Sequence, residues 1–542
     1  MKIVTVPVEY QSPLVNKYLA DFAEVGHLYE HNPYEFNSFQ DRYEVIRRDY
    51  RTDRNELVRI LTEYNEKLHC GTATRDNLGK LEDPSTTVVI TGQQAGVCTG
   101  PLYTIYKTIT VIQLAGEIAR STGRNVIPMF WVASEDHDFA EIDHLWFVNH
   151  RQELVRTSLD EKPVGKQSVG HIPVTDAVVR LIEQLEAETS PSEWKEGIVN
   201  KLKELAAESD NLADWFAAVM CWLFQKHCLV MVNPLVKGLR RLLSGTFEDF
   251  LKSTDLVNER LQSGMAKVRT LGIEPQVETF ENHVHLFLYV DGERLPLLKS
   301  GDVYTVRGRE LVWSIGDLTD LARNRPELLS PNVVLRPVAQ DVLLPITAYV
   351  AGPGEISYYA LYREIYPIFN QRMPVIYPRV NTTLIERSIA KHMDKYGVKF
   401  SDGYAGIKRK LDDYLETQDG LGIDRLFGGY ADELKKSFGE LMGKVAVIDP
   451  ELTKHGYESL NRILHQVDYL EKKAHQCHRK SCDVAVKRFH ALENQLFPRN
   501  NWQERVLNIF PYLFKYGYGL TDQLVKLPLT GDNRHRLIYL GD

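Results

Sequence analysis

Apolar and polar positions follow three textures along the chain. Around residues 53–68, Leu57, Ile60, Leu61 and Tyr64 share one face at spacings of three and four, the mark of an amphipathic helix. Residues 86–90 form a short β-branched run ending at Thr91-Gly92, which reads as a buried strand. A glycine-rich loop follows. Beyond Pro101, Leu102, Ile105, Ile109 and Ile112 recur as a core-facing helical stripe, and residues 126–133 read as a second strand. Strand, loop, helix, strand is a βαβ unit and implies a parallel sheet. Runs at 228–232, 284–290, 348–351 and 374–377 are further strand candidates, with helical segments at about 176–225 and 245–265 inserted between them.

From Thr382 the pattern changes. Leu434, Phe438, Leu441, Val445, Ile448 and Leu452 form one apolar series, and Leu460, Ile463, Val467, Leu470, Ala474 and Cys477 a second. Both alternate spacings of three and four, the period of a coiled-coil seam. The pattern predicts an antiparallel helical arm. The fold class is therefore α/β: a doubly wound parallel-sheet core with helical insertions, plus a long α-helical coiled-coil domain. The core spans 1–381 with insertions at about 150–225 and 245–335. The arm spans 382–498, and 499–542 docks back on the core.

Composition narrows the function. Hydrophobic residues make up 43% and charged residues 25%, a globular mixture. A net charge of −8 gives no general basic field for nucleic acid. There is no 18-residue apolar run and no signal-like N-terminus, so neither a membrane partner nor export is expected. The six cysteines are sparse and lack CxxC spacing. They fit a reduced, cytoplasmic protein without a disulfide framework, and they disfavour a redox function.

Three motifs can carry chemistry. The first runs from Thr91 to Tyr103, between strand and helix. Gly92, Gly96 and Gly100 let backbone approach a ligand, Gln93 and Gln94 are polar, and Thr99 or Gly100 can cap the helix. The helix N-terminus favours an anion. A tight structural turn is the even alternative. Lys107, one turn after Tyr103, can neutralise phosphate or carboxylate, or is simply a solvated lysine. The second motif follows Trp131-Val132-Ala133: Ser134, Glu135, Asp136, His137 and Asp138 end a strand where parallel sheets bind ligands. The acids can hold a metal-nucleotide or a substrate ammonium, and His137 can move a proton. A polar helix cap is the bland reading. In the third, Gly352-Pro353-Gly354 makes another strand-to-helix turn, followed by Glu355, Ser357 and Tyr358. Arg379, beyond it, is a candidate carboxylate clamp. His475, Cys477, His478 and Cys482 cluster without zinc-motif spacing, and no metal ligands are assigned.

Taken together, these strings resemble a known family. Gly92-Gln-Gln-Ala-Gly96, Thr99 through Lys107, Phe130 through Asp138, Leu335-Arg-Pro-Val and Gly352-Pro-Gly-Glu355 are similar to the bacillithiol-biosynthesis cysteine-adding enzymes. So are Leu496-Phe-Pro, Gln503-Glu-Arg505 and Lys515-Tyr-Gly517 in the tail, where Arg505, Lys515, Tyr516 and Gly517 mark a second candidate site. The resemblance covers nearly the whole chain. It implies a Rossmann-like core, a coiled coil that makes a homodimer, and addition of L-cysteine to glucosaminyl malate in the last step of the pathway. An amide needs an activated carboxyl group, and ATP with Mg is the candidate co-substrate. The His-x-Gly-His and Lys-Met-Ser-Lys-Ser strings of the architecturally analogous class I aminoacyl-tRNA synthetases are absent. The competing class is a nucleotide-binding scaffold or sensor with the coiled coil as output. The acidic strand end favours catalysis.

Overall fold

The computed structural model describes residues 1–275 and 282–541; the six residues between, inside the second predicted insertion, lie outside them. Fifteen described strands, β1 to β15 in chain order, form four sheets. The β-branched run becomes β2 (Thr87–Gln93), the middle of a five-stranded sheet. Its neighbours are β3 (Val126–Val132) and β12 (Ile346–Ala351), with β6 (Val230–Val232) and β13 (Val375–Pro378) at the edges. Every pairing is parallel. Side chains of β3 alternate between two cores: Ile127, Met129 and Trp131 enter one, Phe130 and Val132 the other. Burial on both faces explains why these strands read as unbroken apolar runs. The helix Leu102–Thr122 makes the β2-to-β3 crossover and buries Leu102, Ile105 and Ile109.

The helices Asp176–Glu188, Lys195–Ala207 and Leu212–Leu223 fill the first insertion; Ser244–Lys252 and Thr254–Arg269 open the second. The 284–290 run is not a strand of the core. It is β7 (His283–Val290) in a separate antiparallel sheet with β8 (Glu293–Ser300), β9 (Val303–Val306), β10 (Val312–Trp313) and β11 (Leu329–Pro331). The reason is local. Asp291 and Gly292, at φ 51° and 81°, make a two-residue hairpin turn that sends β8 straight back along β7. A second hairpin joins β4 (His144–Val148) to β5 (Leu154–Ser158). In the last sheet β1 (Lys2–Val6) and β14 (Thr382–Glu386) flank β15 (His535–Leu540), so both ends of the chain are tied together.

The arm is a helical hairpin of Ile423–Val445 and Glu451–Ser481, turning at Asp449-Pro450. Its seam differs from the predicted one. Leu434, Phe438 and Val445 are half-buried, but Leu441 is exposed and Met442 is buried, packed against Gly456. On the second helix Leu460, Leu464, Val467 and Ala474 face inward, whereas Ile463, Leu470 and Cys477 face solvent. Two apolar stripes run side by side here, and spacing alone cannot rank them. Ile448 and Leu452 fall at the tip, where the helix breaks.

One expectation about cysteine is overturned: Cys70 and Cys221 form a disulfide. The partners are 151 residues apart, so no local spacing announces the pair. The end of the helix Arg54–Lys67 brings Cys70 to the helix Leu212–Leu223. No helix among the described residues is long and apolar enough to cross a membrane.

Candidate active site

The cleft opens at the carboxyl ends of β2, β3 and β12, where a parallel sheet leaves room between diverging loops. The glycine loop after β2 forms one side. Gly92 packs on Trp131 and Tyr349 at the cleft floor, and Gln93 and Gln94 line it. Gly96 has a different reason for being glycine. A side chain there would meet the Gly100 backbone at 2.9 Å, so it is the loop's own closure that demands it. Cys98 and Thr99 hold left-handed φ values of 48° and 74°, and both are buried. Burial pushes the Cys98 thiol far up, which leaves it inert as a nucleophile.

At the start of this helix the loop is tied to the C-terminal segment. Leu102 N–H donates to the Leu507 carbonyl at 2.8 Å. Asn508 Nδ2 donates to the carbonyls of Cys98 and Gly100 at 2.6 and 2.7 Å. The C-terminal segment therefore takes up the Leu102 N–H and braces the loop through its carbonyls.

After β3 the five polar residues separate into different roles. Ser134 is buried and donates to Asn233 Oδ1 at 2.6 Å. Glu135 is fully buried and paired with Arg240, with Arg336 Nε at 3.8 Å. Burial alone raises its carboxyl, but Arg240, Arg336 and Arg294 outweigh that and hold it ionised below the usual range. Asp136 reaches the cleft and pairs with Arg336, with Arg294 Nη1 at 3.7 Å. Its carboxyl is likewise held low by these arginines against burial. His137 lies beside Phe287, with Nδ1 at 3.4 Å from Arg294. Burial and Arg294 lower its pKa, so the ring is neutral near pH 7. Asp138 is exposed and precedes the short helix Phe139–Ile142 without a side-chain cap bond.

The third motif faces this segment across the cleft. Glu355 Oε2 accepts from Gly352 N–H at 2.6 Å, and Oε1 accepts from Tyr349 at 2.7 Å. Lys107 Nζ sits 2.6 Å from Glu355 and donates to the Gly92 carbonyl at 2.8 Å and Gln93 at 3.1 Å. It is buried, not solvated, because the Gly352 turn covers that helix face. Burial lowers its pKa while Glu355 opposes the shift. Arg379 is buried and bound to Glu504 at 2.7 Å, with Tyr103 near its guanidinium. Gly354 has open space beside it, and Ser357 donates to the Pro353 carbonyl at 3.1 Å.

Two chambers share Gln93, Glu355 and Tyr358. The smaller, of about 140 Å³, is lined by Asp136, Arg336, Gln340 and Tyr349. The larger, of about 500 Å³, is lined by Tyr103, Lys107, Arg379 and Arg505. Glu135, Ser134, His137 and Asp138 lie on neither wall. Of the second predicted site, Lys515 and Tyr516 meet at Glu386, at 2.8 and 3.3 Å, and Lys515 lines a separate cavity of about 230 Å³. Gly517 packs on Trp194, and Arg505 joins the first cleft instead. Sequence reasoning missed Arg240, Arg294 and Arg336 as partners of the acidic motif. They come from three distant elements, and only Arg336, inside the Leu335-Arg-Pro-Val string that carries the family resemblance, gave any signal. On the arm, His475 pairs with Asp424 at 2.7 Å; with Glu471 they form the one group of possible metal ligands among the described residues. Cys477 is not part of it.

A parallel-sheet core whose acidic and basic loops enclose a cleft, joined to a helical-hairpin arm, defines a Rossmann-like protein with a coiled-coil domain. Residues 1–380 match the family model for the bacillithiol biosynthesis BshC N-terminal Rossmann-like domain, and 382–540 match its C-terminal coiled-coil domain. The chain belongs to the BshC family. Relatives named "Putative cysteine ligase BshC" match along their whole length. The protein from Desulforamulus reducens is 37% identical over 99% of this chain and all of its own. Those from Symbiobacterium thermophilum and Bacillus cereus are 38% and 30% identical, each over the full length of both chains.

Proposed function

We propose that this protein is a cytoplasmic cysteine ligase that joins the carboxyl group of L-cysteine to the amine of glucosaminyl malate, the last step of bacillithiol biosynthesis. The observation that carries the reading is the pair of unequal chambers meeting at Glu355. An amide-forming enzyme must hold an amino acid and a larger amine acceptor with their reacting groups adjacent. The small chamber suits cysteine: Asp136 attracts its ammonium group and Arg336 its carboxylate. The large chamber suits the amino sugar. Glu355, held by Lys107, Tyr349 and Gly352, stands at the junction and takes a proton from the attacking amine. Arg240 and Arg294 position the acidic segment from behind.

A carboxylate is a poor acyl donor, and ATP with Mg remains the proposed activator. The scaffold reading has less support, because a scaffold has no use for a Lys107–Glu355 pair buried at a cleft junction. The arm is proposed to make a homodimer, since Leu426, Tyr430, Leu441, Ile463 and Leu470 leave apolar surface exposed along it. The test is direct. Purified protein is incubated with cysteine, glucosaminyl malate and ATP with Mg, and the thiol product is sought by mass spectrometry. Isotope tracing identifies the phosphate product. Absence of the cysteinyl adduct under conditions where all three substrates bind rejects the ligase reading.

A further inference from the structure

Beside the large chamber lies another cavity, of about 340 Å³, that shares Glu141 and Arg505 with it. Its floor is the turn at Gly100-Pro101, and its far wall is the C-terminal segment with Arg499, Asn501 and Asn508. Its charge is unbalanced. Every other arginine or lysine on the cleft walls has a carboxylate partner: Lys107 pairs with Glu355, Arg336 with Asp136, Arg379 with Glu504. Arg499 and Arg505, both exposed, enter no ion pair among the described residues. His144, on the same wall, is held by Asp143 at 2.8 Å. Glu141 is the single carboxylate on the cavity wall, set against two guanidinium groups.

Arg499 is exposed, and its direction is set by a neighbouring ring. It and Asn500 take left-handed backbone, at φ 55° and 57°. Its guanidinium lies over the Trp146 ring at 4.7 Å. Stacking of this kind leaves the edge N–H groups directed sideways, free to bind a planar anion. Arg505 stands at the opening between this cavity and the large chamber. A ligand reaching from one to the other therefore carries its neutral part beside Glu355 and its anionic part between the two arginines.

We propose that Arg499 and Arg505 form a dicarboxylate subsite that grips the malyl end of the acceptor and sets its distance from the junction. The inference rests on the ligase reading for the acceptor's identity, but the subsite itself can be measured without catalysis. Two carboxylates against two guanidinium forks is the complementarity expected of bidentate recognition. The same chemistry could serve the phosphates of a nucleotide, and the experiment separates the two.

Binding of L-malate, inorganic pyrophosphate and L-cysteine to the full-length protein is measured by calorimetry for wild type, Arg499→Gln, Arg505→Gln and Arg505→Lys. The expected result is malate affinity reduced at least tenfold in each glutamine variant, partly restored by lysine, with cysteine affinity within twofold of wild type. If product forms, the KM for the acceptor rises at least tenfold in the glutamine variants while kcat changes much less. Malate that fails to bind wild type, or binds the glutamine variants equally well, overturns the subsite. Loss of pyrophosphate binding with malate binding unchanged overturns it in favour of a nucleotide phosphate site. Malate binding that depends on both arginines, in a protein that makes no cysteinyl adduct, leaves the subsite standing and rejects the ligase reading alone.

Discussion

Lys107 Nζ lies 2.6 Å from Glu355 Oε2, although the first stands on the helix after β2 and the second on the turn after β12. The pair ties together the two loops that form the cleft. Both chambers meet at this contact.

Removing one partner leaves the other charge poorly compensated. Lys107→Met is expected to lower stability by about 3–5 kcal/mol, the usual cost of breaking a buried pair. The double variant Lys107→Met with Glu355→Gln should recover part of that loss, and both should lose turnover. Thermal melting and product formation on the same preparations check this. Equal melting temperatures for wild type and Lys107→Met would show that the contact contributes nothing.

The acidic segment should divide by residue. Asp136→Asn is expected to reduce turnover about a hundredfold, since it removes a charge from the small chamber. Asp138→Asn, exposed and off both walls, should leave turnover near wild type. Glu135→Gln should act mainly on stability, because it strands the buried Arg240. Melting curves and rates on the three variants separate the roles. Full activity in Asp136→Asn would remove that residue from the site.

Acid should weaken the fold before most carboxylates titrate. His31 and His535 have pKa values lowered to about 4 by burial, and His285 to about 3. Unfolded, these histidines titrate near 6.5. Below that pH the unfolded state binds protons that the native state refuses, so stability falls as pH drops from 6.5 toward 4. The loss is absent above about pH 7. Denaturant titrations across this window should show it, and His535→Gln should flatten the slope. A stability that holds constant from pH 7 to 5 contradicts the assignment.

The arm offers a contrast between two kinds of apolar position. Leu441→Glu with Ile463→Glu changes exposed residues and should yield monomer with helicity intact. Leu460→Glu strikes the buried seam and should disorder the hairpin itself. Sedimentation and circular dichroism distinguish them. A wild-type protein that is monomeric at micromolar concentration already excludes the proposed dimer.

Denatured, unreduced protein should titrate four thiols, those of Cys98, Cys228, Cys477 and Cys482. Cys70→Ser should cost about 2–4 kcal/mol through the long loop the bond closes. Six reactive thiols would show that the bond does not form in the purified protein.

What was legible in the sequence was local. The βαβ unit could be read because β2, the crossover helix and β3 are consecutive and differ in period. The strand ends at Gly92, Asp136 and Glu355 could be read because apolar runs stop there abruptly. What stayed hidden depends on distant pairing. No pattern near Glu135 points to Arg240 or Arg294. Nothing near Pro101 says that Leu507 will take the Leu102 N–H or that Asn508 will brace the glycine loop. The arm's period was plain, but two parallel apolar stripes left the inward face undetermined.

The cap made by Leu507 and Asn508 also fixes an order of events during synthesis. The glycine loop is translated about four hundred residues before the side chain that holds Cys98 and Gly100. Until then the start of the crossover helix has lost its partner carbonyl and the large chamber lacks the wall that bears Arg505. The strands of the parallel sheet and the helices of the arm all precede this segment in the chain, but the site is not complete without it. A chain that ends before residue 505 lacks this cap, the Arg505 wall of the large chamber and the apolar side chains from Leu507 to Leu540 that complete the second core, so the site is assembled from both ends of the sequence.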